Sequence, residues 1–196
     1  TNLNVDGCHN LGSLTCNNNK LTKLNLTKNI ILFKLECSNN LLQEIDLSKN
    51  VNLEKLTISY NKLNKLNLAS NFFLVNLICD NNELIDLSLP EKIKSLYCTN
   101  NNLKELNLSK AILTEVLYCG NNNLNLIDLS KLSNLNYFDS RGNNKAIKIY
   151  IPEKIKNSSL KLYKDNESTF IQNNYNTVYS QNELIFDSPP KLQIPK

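Results

Sequence analysis

A repeat of about 21 residues constrains this chain more than any other feature of its sequence. The stretch 32–52, LFKLECSNNLLQEIDLSKNVN, has apolar residues at positions 32, 35, 37, 42, 45 and 47 and an asparagine at position 40. The same pattern returns when the frame is shifted by 21 residues in either direction. Self-similarity at such a period is typical of solenoids, in which each repeat forms one turn of the chain.

Two columns of the aligned repeats predict the local structure. A leucine followed two residues later by cysteine has period two, the pattern of a short strand with alternate side chains directed inward. An asparagine stands three residues after the cysteine position in every repeat, where its amide can bond backbone groups in a turn. The cysteine column reads Cys16, Cys37, Ile58, Cys79, Cys98, Cys119 and Ser140, and the asparagine column reads Asn19, Asn40, Asn61, Asn82, Asn101, Asn122 and Asn143.

One such repeat is too small to fold alone. Ordering the backbone of a whole repeat costs more free energy than burying its few aliphatic side chains returns. Stacking one turn on the next shares the strand hydrogen bonds and joins the separate apolar clusters into one core. The sequence therefore predicts a parallel solenoid in which each turn is stabilised by its neighbours.

The recurring motif Leu-x-x-Leu-x-Cys-x-x-Asn-x-Leu resembles the leucine-rich repeat signature over about residues 1–155. Within that family, 21-residue repeats with a strand cysteine and a following LDLS or LNLS look most like the internalin-type bacterial surface proteins. The resemblance implies a β-rich solenoid of the α/β class, a horseshoe with a parallel concave sheet and a convex side of mostly irregular, 3-10 or short-strand segments. It also implies a ladder of inward thiols and a concave strand face that binds a partner protein.

Several repeats depart from this pattern. The interval from Cys79 to Cys98 is 19 residues and contains Leu-Pro-Glu at 89–91, which resembles the Leu-Pro repeats of bacterial ubiquitin-ligase effectors. The third repeat has Ile58 in the cysteine column. The seventh repeat has Ser140 there and Lys145 where leucine is expected, so the pattern decays towards its end.

The chain is predicted to divide at about residue 155. Residues 1–155 hold about seven repeats, and the first is truncated, as in a fragment or a processed product. The period is lost from about residue 156, where alternating runs at 160–163 and 177–186 predict one or two more strands. We expect 156–196 to be a C-terminal cap and tail that covers the exposed end of the core. The alternative is the beginning of a following domain.

The six cysteines are expected to be reduced and buried, acting as small hydrophobic residues. Neighbouring parallel strands lie about 4.8 Å apart, within the Cα separation of a disulfide. Side chains at equivalent positions of such strands point the same way, however, so a crosslink between them would be strained. Disulfides between neighbours and a metal site are the alternatives. Cys8 stands outside the strand column, and we expect it to be partly exposed.

No set of residues predicts catalysis, a metal or a cofactor. His9 is the only histidine, and no nucleophile or carboxylate accompanies it at a recurring position. The aspartates Asp46, Asp86 and Asp128 alternate with asparagines along the repeats, a replacement that acid–base chemistry would not allow. We therefore interpret these aspartates as structural and expect a protein that is not an enzyme.

Charge and hydropathy also restrict the partners. The net charge is +4, the lysines are spread along the repeats, and Arg141 is the only arginine, so a nucleic-acid partner is not expected. No run approaches the roughly 18 apolar residues of a membrane span. Composition gives no information on the oligomeric state.

The strand face opposite the core is the most informative surface. Its central column, one residue before each cysteine position, is small and polar in the first repeats and apolar or aromatic from the fourth repeat onward. Tyrosine combines a large contact area with a polar tip and is enriched at interfaces, although it is also simply a good strand former. The predicted partner-binding residues are Tyr60, Ile78, Asp80, Tyr97, Val116, Tyr118, Tyr137, Asp139 and Arg141.

The sequence thus predicts a non-enzymatic module that binds a protein partner through its concave strand face. One alternative is a glycan-binding surface protein, in which tyrosines stack on sugars while asparagines, Asp80 and Arg141 supply hydrogen bonds. Another is the substrate-recognition part of a larger effector enzyme. The expected location is secreted or on the cell surface, with an effector acting in a host cytosol as the alternative.

Overall fold

The computed structural model describes residues 1–144, 146–152 and 160–172. These residues contain fifteen short strands and no helix, and all their strand pairs are parallel. The strands are β1 (Asn2–Leu3), β2 (Ser13–Thr15), β3 (Lys23–Leu24), β4 (Lys34–Glu36), β5 (Lys55–Thr57), β6 (Lys65–Asn67), β7 (Asn76–Ile78), β8 (Asp86–Ser88), β9 (Ser95–Tyr97), β10 (Val116–Tyr118), β11 (Leu126–Asp128), β12 (Tyr137–Asp139), β13 (Lys148–Ile151), β14 (Lys161–Tyr163) and β15 (Thr169–Gln172).

One sheet of eight strands runs along the molecule in the order β2-β4-β5-β7-β9-β10-β12-β14. The middle residue of each strand points into the core, and these residues pair with one another across the sheet. Backbone bonds continue past the strands, since the Cys98 N–H donates to Tyr118 O at 2.9 Å and the Cys119 N–H donates to Asp139 O at 2.9 Å. The inward column is Leu14, Leu35, Leu56, Leu77, Leu96, Leu117, Phe138 and Leu162.

The opposite side of the solenoid carries three small parallel sheets, β1-β3, β6-β8 and β11-β13-β15. The short-strand description of this side is therefore correct for these turns. The α/β class and the 3-10 segments are not confirmed, because no residue described by the structure is helical. About 21 residues per turn leave little chain for a helix after two strands and their turns. No helix in the described ranges has the length and apolar character needed to cross a membrane.

The core is a single apolar stack with the cysteine column inside it. Cys37, Cys79, Cys98 and Cys119 are fully buried, and Ile58 and Ser140 fill the same column where cysteine is missing. All six cysteines are free, and Cys8 is exposed, as expected. Burial raises the pKa of the Cys37, Cys79 and Cys98 thiols well above its ordinary value, so they remain protonated at neutral pH.

The predicted asparagine column forms a hydrogen-bonded ladder. Asn61 is typical, with its Nδ2 donating to Cys37 O at 3.0 Å in the preceding turn and to Ile58 O at 3.1 Å in its own turn. Its Oδ1 accepts the Leu42 N–H at 3.0 Å. One buried amide therefore satisfies backbone groups of two successive turns that no strand pairing reaches.

A second asparagine ladder lies at the other end of the turns, before the eight-stranded sheet. Asn50 Nδ2 donates to Leu26 O at 3.1 Å and to Asn29 O at 2.8 Å, and Asn71 repeats the arrangement with Leu47 O and Asn50 O. Both asparagines are fully buried. These bonds hold each turn at a fixed distance from the preceding turn, on the side of the solenoid that comes before the sheet in sequence.

Both sides of the solenoid continue beyond residue 155 in the described residues. Strand β14 pairs with β12 in the large sheet, and β15 pairs with β13 on the opposite side. The expected run at 160–163 is therefore a strand, whereas the run at 177–186 lies outside the described residues. The assignment of 156–196 as a cap and tail stays a prediction.

Candidate binding face

The outward face of the eight-stranded sheet, called the sheet face below, consists of the first and third residues of each strand. Its N-terminal half is polar. Lys34 Nζ lies 2.7 Å from Glu36 Oε1, and Thr15 Oγ1 donates to Glu36 Oε2 at 3.1 Å. The hydrogen bond from Lys34 is the largest cause of the lowered pKa of Glu36. These groups are exposed or half-exposed and already paired with one another.

The C-terminal half of the sheet face carries a stack of four tyrosines, called the tyrosine ladder below. The ring centroids of Tyr97 and Tyr118 are 4.8 Å apart with an interplanar angle of 13°. Those of Tyr118 and Tyr137 are 4.6 Å apart at 21°, and those of Tyr137 and Tyr163 are 5.2 Å apart at 34°. Tyr97 and Tyr118 pair directly across adjacent strands, whose spacing matches the contact distance of offset aromatic rings. The other two contacts are diagonal, because Tyr137 pairs with Val116 on one side and with Lys161 on the other.

The sequence predicted three of these tyrosines and missed Tyr163. It lies on β14, where Leu162 pairs with Phe138, yet these two residues are 24 apart and not 21. An alignment of the repeats that allowed a spacing other than 21 residues would have matched Leu-Lys-Leu-Tyr at 160–163 to the strand pattern. Burial raises the pKa of Tyr97, Tyr118 and Tyr137, so their hydroxyl groups remain neutral at neutral pH.

Asp139 and Arg141 form one unit at the C-terminal end of the ladder. Arg141 Nε lies 3.0 Å from Asp139 Oδ1, and Arg141 Nη2 lies 2.6 Å from Asp139 Oδ2. This bonding to Asp139 is the largest cause of the raised pKa of Arg141. The guanidinium also lies 5.0 Å from the ring centroid of Tyr163. The two predicted residues are therefore brought together with the ladder, and they neutralise each other.

Asp80 lies at the other end of the ladder, in the turn after β7. Its Oδ1 accepts the Thr99 N–H at 2.7 Å. Burial raises the pKa of Asp80 to about 6, and the hydrogen bond from Thr99 partly offsets that rise. Ile78 pairs directly with Tyr97, and Val116 begins the strand that carries Tyr118. Asp80 and Ile78 thus lie at the N-terminal end of the ladder, whereas Val116 pairs with Tyr137 in its middle.

Tyr60 is placed differently from the other predicted residues. It lies in the turn after β5, with φ of +55°, and it is 42% exposed. Five other turns have asparagine at the equivalent left-handed position, which asparagine tolerates and a bulky side chain does not. The structure therefore separates Tyr60 from the strands of the sheet face, on a strained backbone. The asparagines are Asn18, Asn39, Asn81, Asn100 and Asn121.

We expect Tyr60→Asn to raise the free energy of unfolding by about 1 kcal/mol, because asparagine relieves the left-handed strain. Urea denaturation of the variant and the parent chain measures this difference. The reverse change Asn39→Tyr, at the same exposed position of the preceding turn, is the matched control and should lower the free energy by a similar amount. A destabilised Tyr60→Asn would show that contacts of the tyrosine ring outweigh the strain.

Among the residues that the structure describes, no group of three or more His, Cys, Asp or Glu side chains is arranged to hold a metal ion. The C-terminal half of the sheet face is aromatic at its centre. It offers rigid aromatic rings in the centre and a carboxyl group or a neutralised ion pair at each end.

Solved structures of several bacterial proteins are similar to this chain. No family model matches the chain, and no curated protein matches it. Among solved structures, the functional domain of InlJ from Listeria monocytogenes, which includes a cysteine ladder, is 28% identical with a TM-score of 0.76, over 87% of this chain and 42% of that chain. YopM, a leucine-rich effector protein from Yersinia pestis, is 29% identical with a TM-score of 0.68, over 83% and 45%.

A leucine-rich repeat protein from Leptospira interrogans is 25% identical with a TM-score of 0.67, over 85% of this chain and 45% of that chain. The chain thus spans less than half the length of these three proteins. Their shared feature is the solenoid of stacked parallel strands described above. The resemblance drawn from the sequence is confirmed: this chain has the leucine-rich repeat fold, with internalin-like turns of about 21 residues, and leucine-rich repeat proteins are its structural neighbours.

Proposed function

We propose that this chain is a non-enzymatic interaction module that binds a protein partner through the tyrosine ladder half of its sheet face. The leucine-rich repeat neighbours support an interaction module in general. The ladder is the observation that selects this half of the face. The contacts at 4.8 and 4.6 Å join the half-buried Tyr97, Tyr118 and Tyr137 into one aromatic surface, which the buried Tyr163 supports from one end. The N-terminal half has polar and charged side chains and a local ion pair.

The ladder is suited to binding because it is held in place before a partner arrives. The rings of Tyr97, Tyr118 and Tyr137 are supported by their neighbours and by strands whose backbones are bonded on both sides, as β10 is between β9 and β12. Little side-chain entropy is then lost on association, and that loss is a main cost of forming an interface. Tyrosine is also among the residues that most often dominate binding energy.

The same geometry favours a protein over a glycan. Sugars stack on open faces of aromatic rings, but the ring of Tyr118 has Tyr97 on one side and Tyr137 on the other. The ring edges are what remains for contact, which suits side chains of a protein partner, and the hydroxyl oxygens of Tyr137 and Tyr163 are buried. We therefore rank two alternative functions below protein binding. They are glycan binding and substrate recognition as part of a larger effector enzyme. We place the protein outside the bacterial cell or on its surface, with a host cytosol as the alternative.

The test is binding by Tyr97→Ala and Tyr118→Ala, first in capture of partners from candidate extracts and then by calorimetry with the purified partner. We expect each change to weaken binding about tenfold or more, since both remove a central aromatic anchor. Thr15→Ala and Thr57→Ala, at the same strand position in the polar half, are the matched controls and should bind as the parent chain does.

Melting curves of the same variants separate binding from folding. The tyrosines are half-buried, so their loss should change the melting temperature only slightly. Unchanged binding by both variants, or equal losses in the threonine controls, would contradict the proposed face. A glycan array with the parent chain distinguishes the alternative, because specific sugar binding that depends on Tyr97 would favour the glycan.

A further inference from the structure

A second surface, separate from the sheet face, is exposed and apolar. It lies at the turns that follow the second asparagine ladder and precede the eight-stranded sheet. Large aliphatic and aromatic side chains recur there in four turns and are 37–59% exposed. We call these residues the apolar flank: Ile30, Ile31, Val51, Phe72, Phe73, Ile112 and Leu113.

The flank runs along one side of the solenoid in two groups, since the turn that contains Pro90, Glu91 and Lys92 carries no flank residue. Ile30, Val51 and Phe72 directly follow asparagines of the second ladder, whose buried amides bond each turn to the one before. Ile112 follows Ala111 instead. Asn52 Nδ2 in one turn also donates to Ile30 O in the preceding turn at 3.2 Å. From the turn of Ile30 to that of Ile112 the row crosses four turn spacings, about 20 Å at the spacing of parallel strands.

A row of lysines accompanies the apolar flank. Lys28, Lys49 and Lys110 each stand two residues before a flank residue, and all three are exposed. Lys131 occupies the same position in the next turn, and Lys92 Nζ lies 4.6 Å from the ring centroid of Phe73. Acidic residues also lie near this row: Glu91 precedes Lys92, Asp46 lies within electrostatic reach of Lys49, and Glu115 pairs with Lys94 at 3.0 Å. The surface therefore combines exposed apolar tips with positive charge.

We propose that the apolar flank and its lysine row bind the surface of an anionic lipid bilayer. Shallow insertion of Phe, Ile and Leu tips, with lysines at the level of the headgroups, is the chemistry of proteins that lie on membranes. A protein partner fits this surface less well. Lysine is depleted in protein interfaces, and the flank has no Tyr, Trp or Arg among its members.

The lipid surface is tested by co-sedimentation of the protein with vesicles, comparing pure phosphatidylcholine with phosphatidylcholine that contains phosphatidylglycerol. The parent chain should bind the anionic vesicles and lose that binding as salt is added, because salt screens the lysines. The double variant Phe72→Ser/Phe73→Ser should bind about tenfold more weakly or worse. Lys49→Gln and Lys110→Gln should each weaken binding about fivefold.

Matched controls locate the site. Ile85→Ser and Leu126→Ser remove exposed apolar residues on the opposite side of the solenoid and should bind vesicles as the parent chain does. Tyr97→Ala should also bind normally, since the sheet face is a separate surface. Circular dichroism confirms that each variant is folded. The proposal is wrong if the parent chain does not bind anionic vesicles or binds neutral vesicles equally well. It is also wrong if the phenylalanine variant binds vesicles as well as the parent chain does, or if the flank binds an acidic protein and not the vesicles.

Discussion

Asn61→Ala should lower the free energy of unfolding by about 2–3 kcal/mol. The change removes one of the two donors to Cys37 O, one of the two donors to Ile58 O and the acceptor of the Leu42 N–H. Only the Leu42 N–H is left unpaired, at a cost of about 1–3 kcal/mol, because Cys37 O still accepts from Asn40 Nδ2 and Ile58 O still accepts from Asn82 Nδ2. Urea denaturation followed by circular dichroism measures the loss.

Two further variants identify its cause. Asn61→Asp is close to isosteric and keeps the acceptor for Leu42, but it cannot donate and places a carboxylate against two carbonyl oxygens. It should be destabilising even though it leaves no cavity. Asn64→Ala, an exposed asparagine three residues on, should change stability by less than about 0.5 kcal/mol. If Asn61→Asp were as stable as the parent chain, hydrogen bonding by the ladder would not explain the asparagine column.

This ladder also shows how far the sequence alone could reach. The leucine, cysteine and asparagine columns were predictable because a residue repeated at a fixed period faces the same surroundings in every turn. Ile58 and Ser140 could be placed in the cysteine column for that reason, and both are buried there. The register of the eight-stranded sheet follows from the same period, including the 19-residue turn before Cys98.

Features that break the period were not predictable in the same way. Tyr163 joins the ladder through a strand that lies 24 residues after its neighbour, and the pairing of Asp139 with Arg141 depends on side-chain directions. The strain at Tyr60 had a signal, because the residue before each ladder asparagine is usually asparagine, the residue best suited to a left-handed turn. The expected α/β class came from the family resemblance rather than from any helical periodicity in this chain.

Asp80→Asn should raise the free energy of unfolding at pH 7 by about 2–3 kcal/mol, because the parent chain buries a carboxylate there. Burial raises the pKa of Asp80 from 3.8 to about 6, and each pKa unit corresponds to about 1.4 kcal/mol. The sign follows from proton linkage. Between those two values the folded state holds more protons than the unfolded state, so the parent chain loses stability as the pH rises from about 4 to about 6.

Asparagine keeps an acceptor for the Thr99 N–H without the charge, so the gain of Asp80→Asn should be largest above pH 6 and fade towards pH 4. Denaturation curves across that range measure it, with the exposed Asp86→Asn as the control for loss of one charge. A gain that does not change with pH would rule out the buried carboxylate as its source. The buried carboxylate of Asp80 beside Tyr97 lowers the stability of the fold, so we interpret it as a group that serves binding. The proposed partner should then present a cation to Asp80, and the stabilised variant should bind it more weakly.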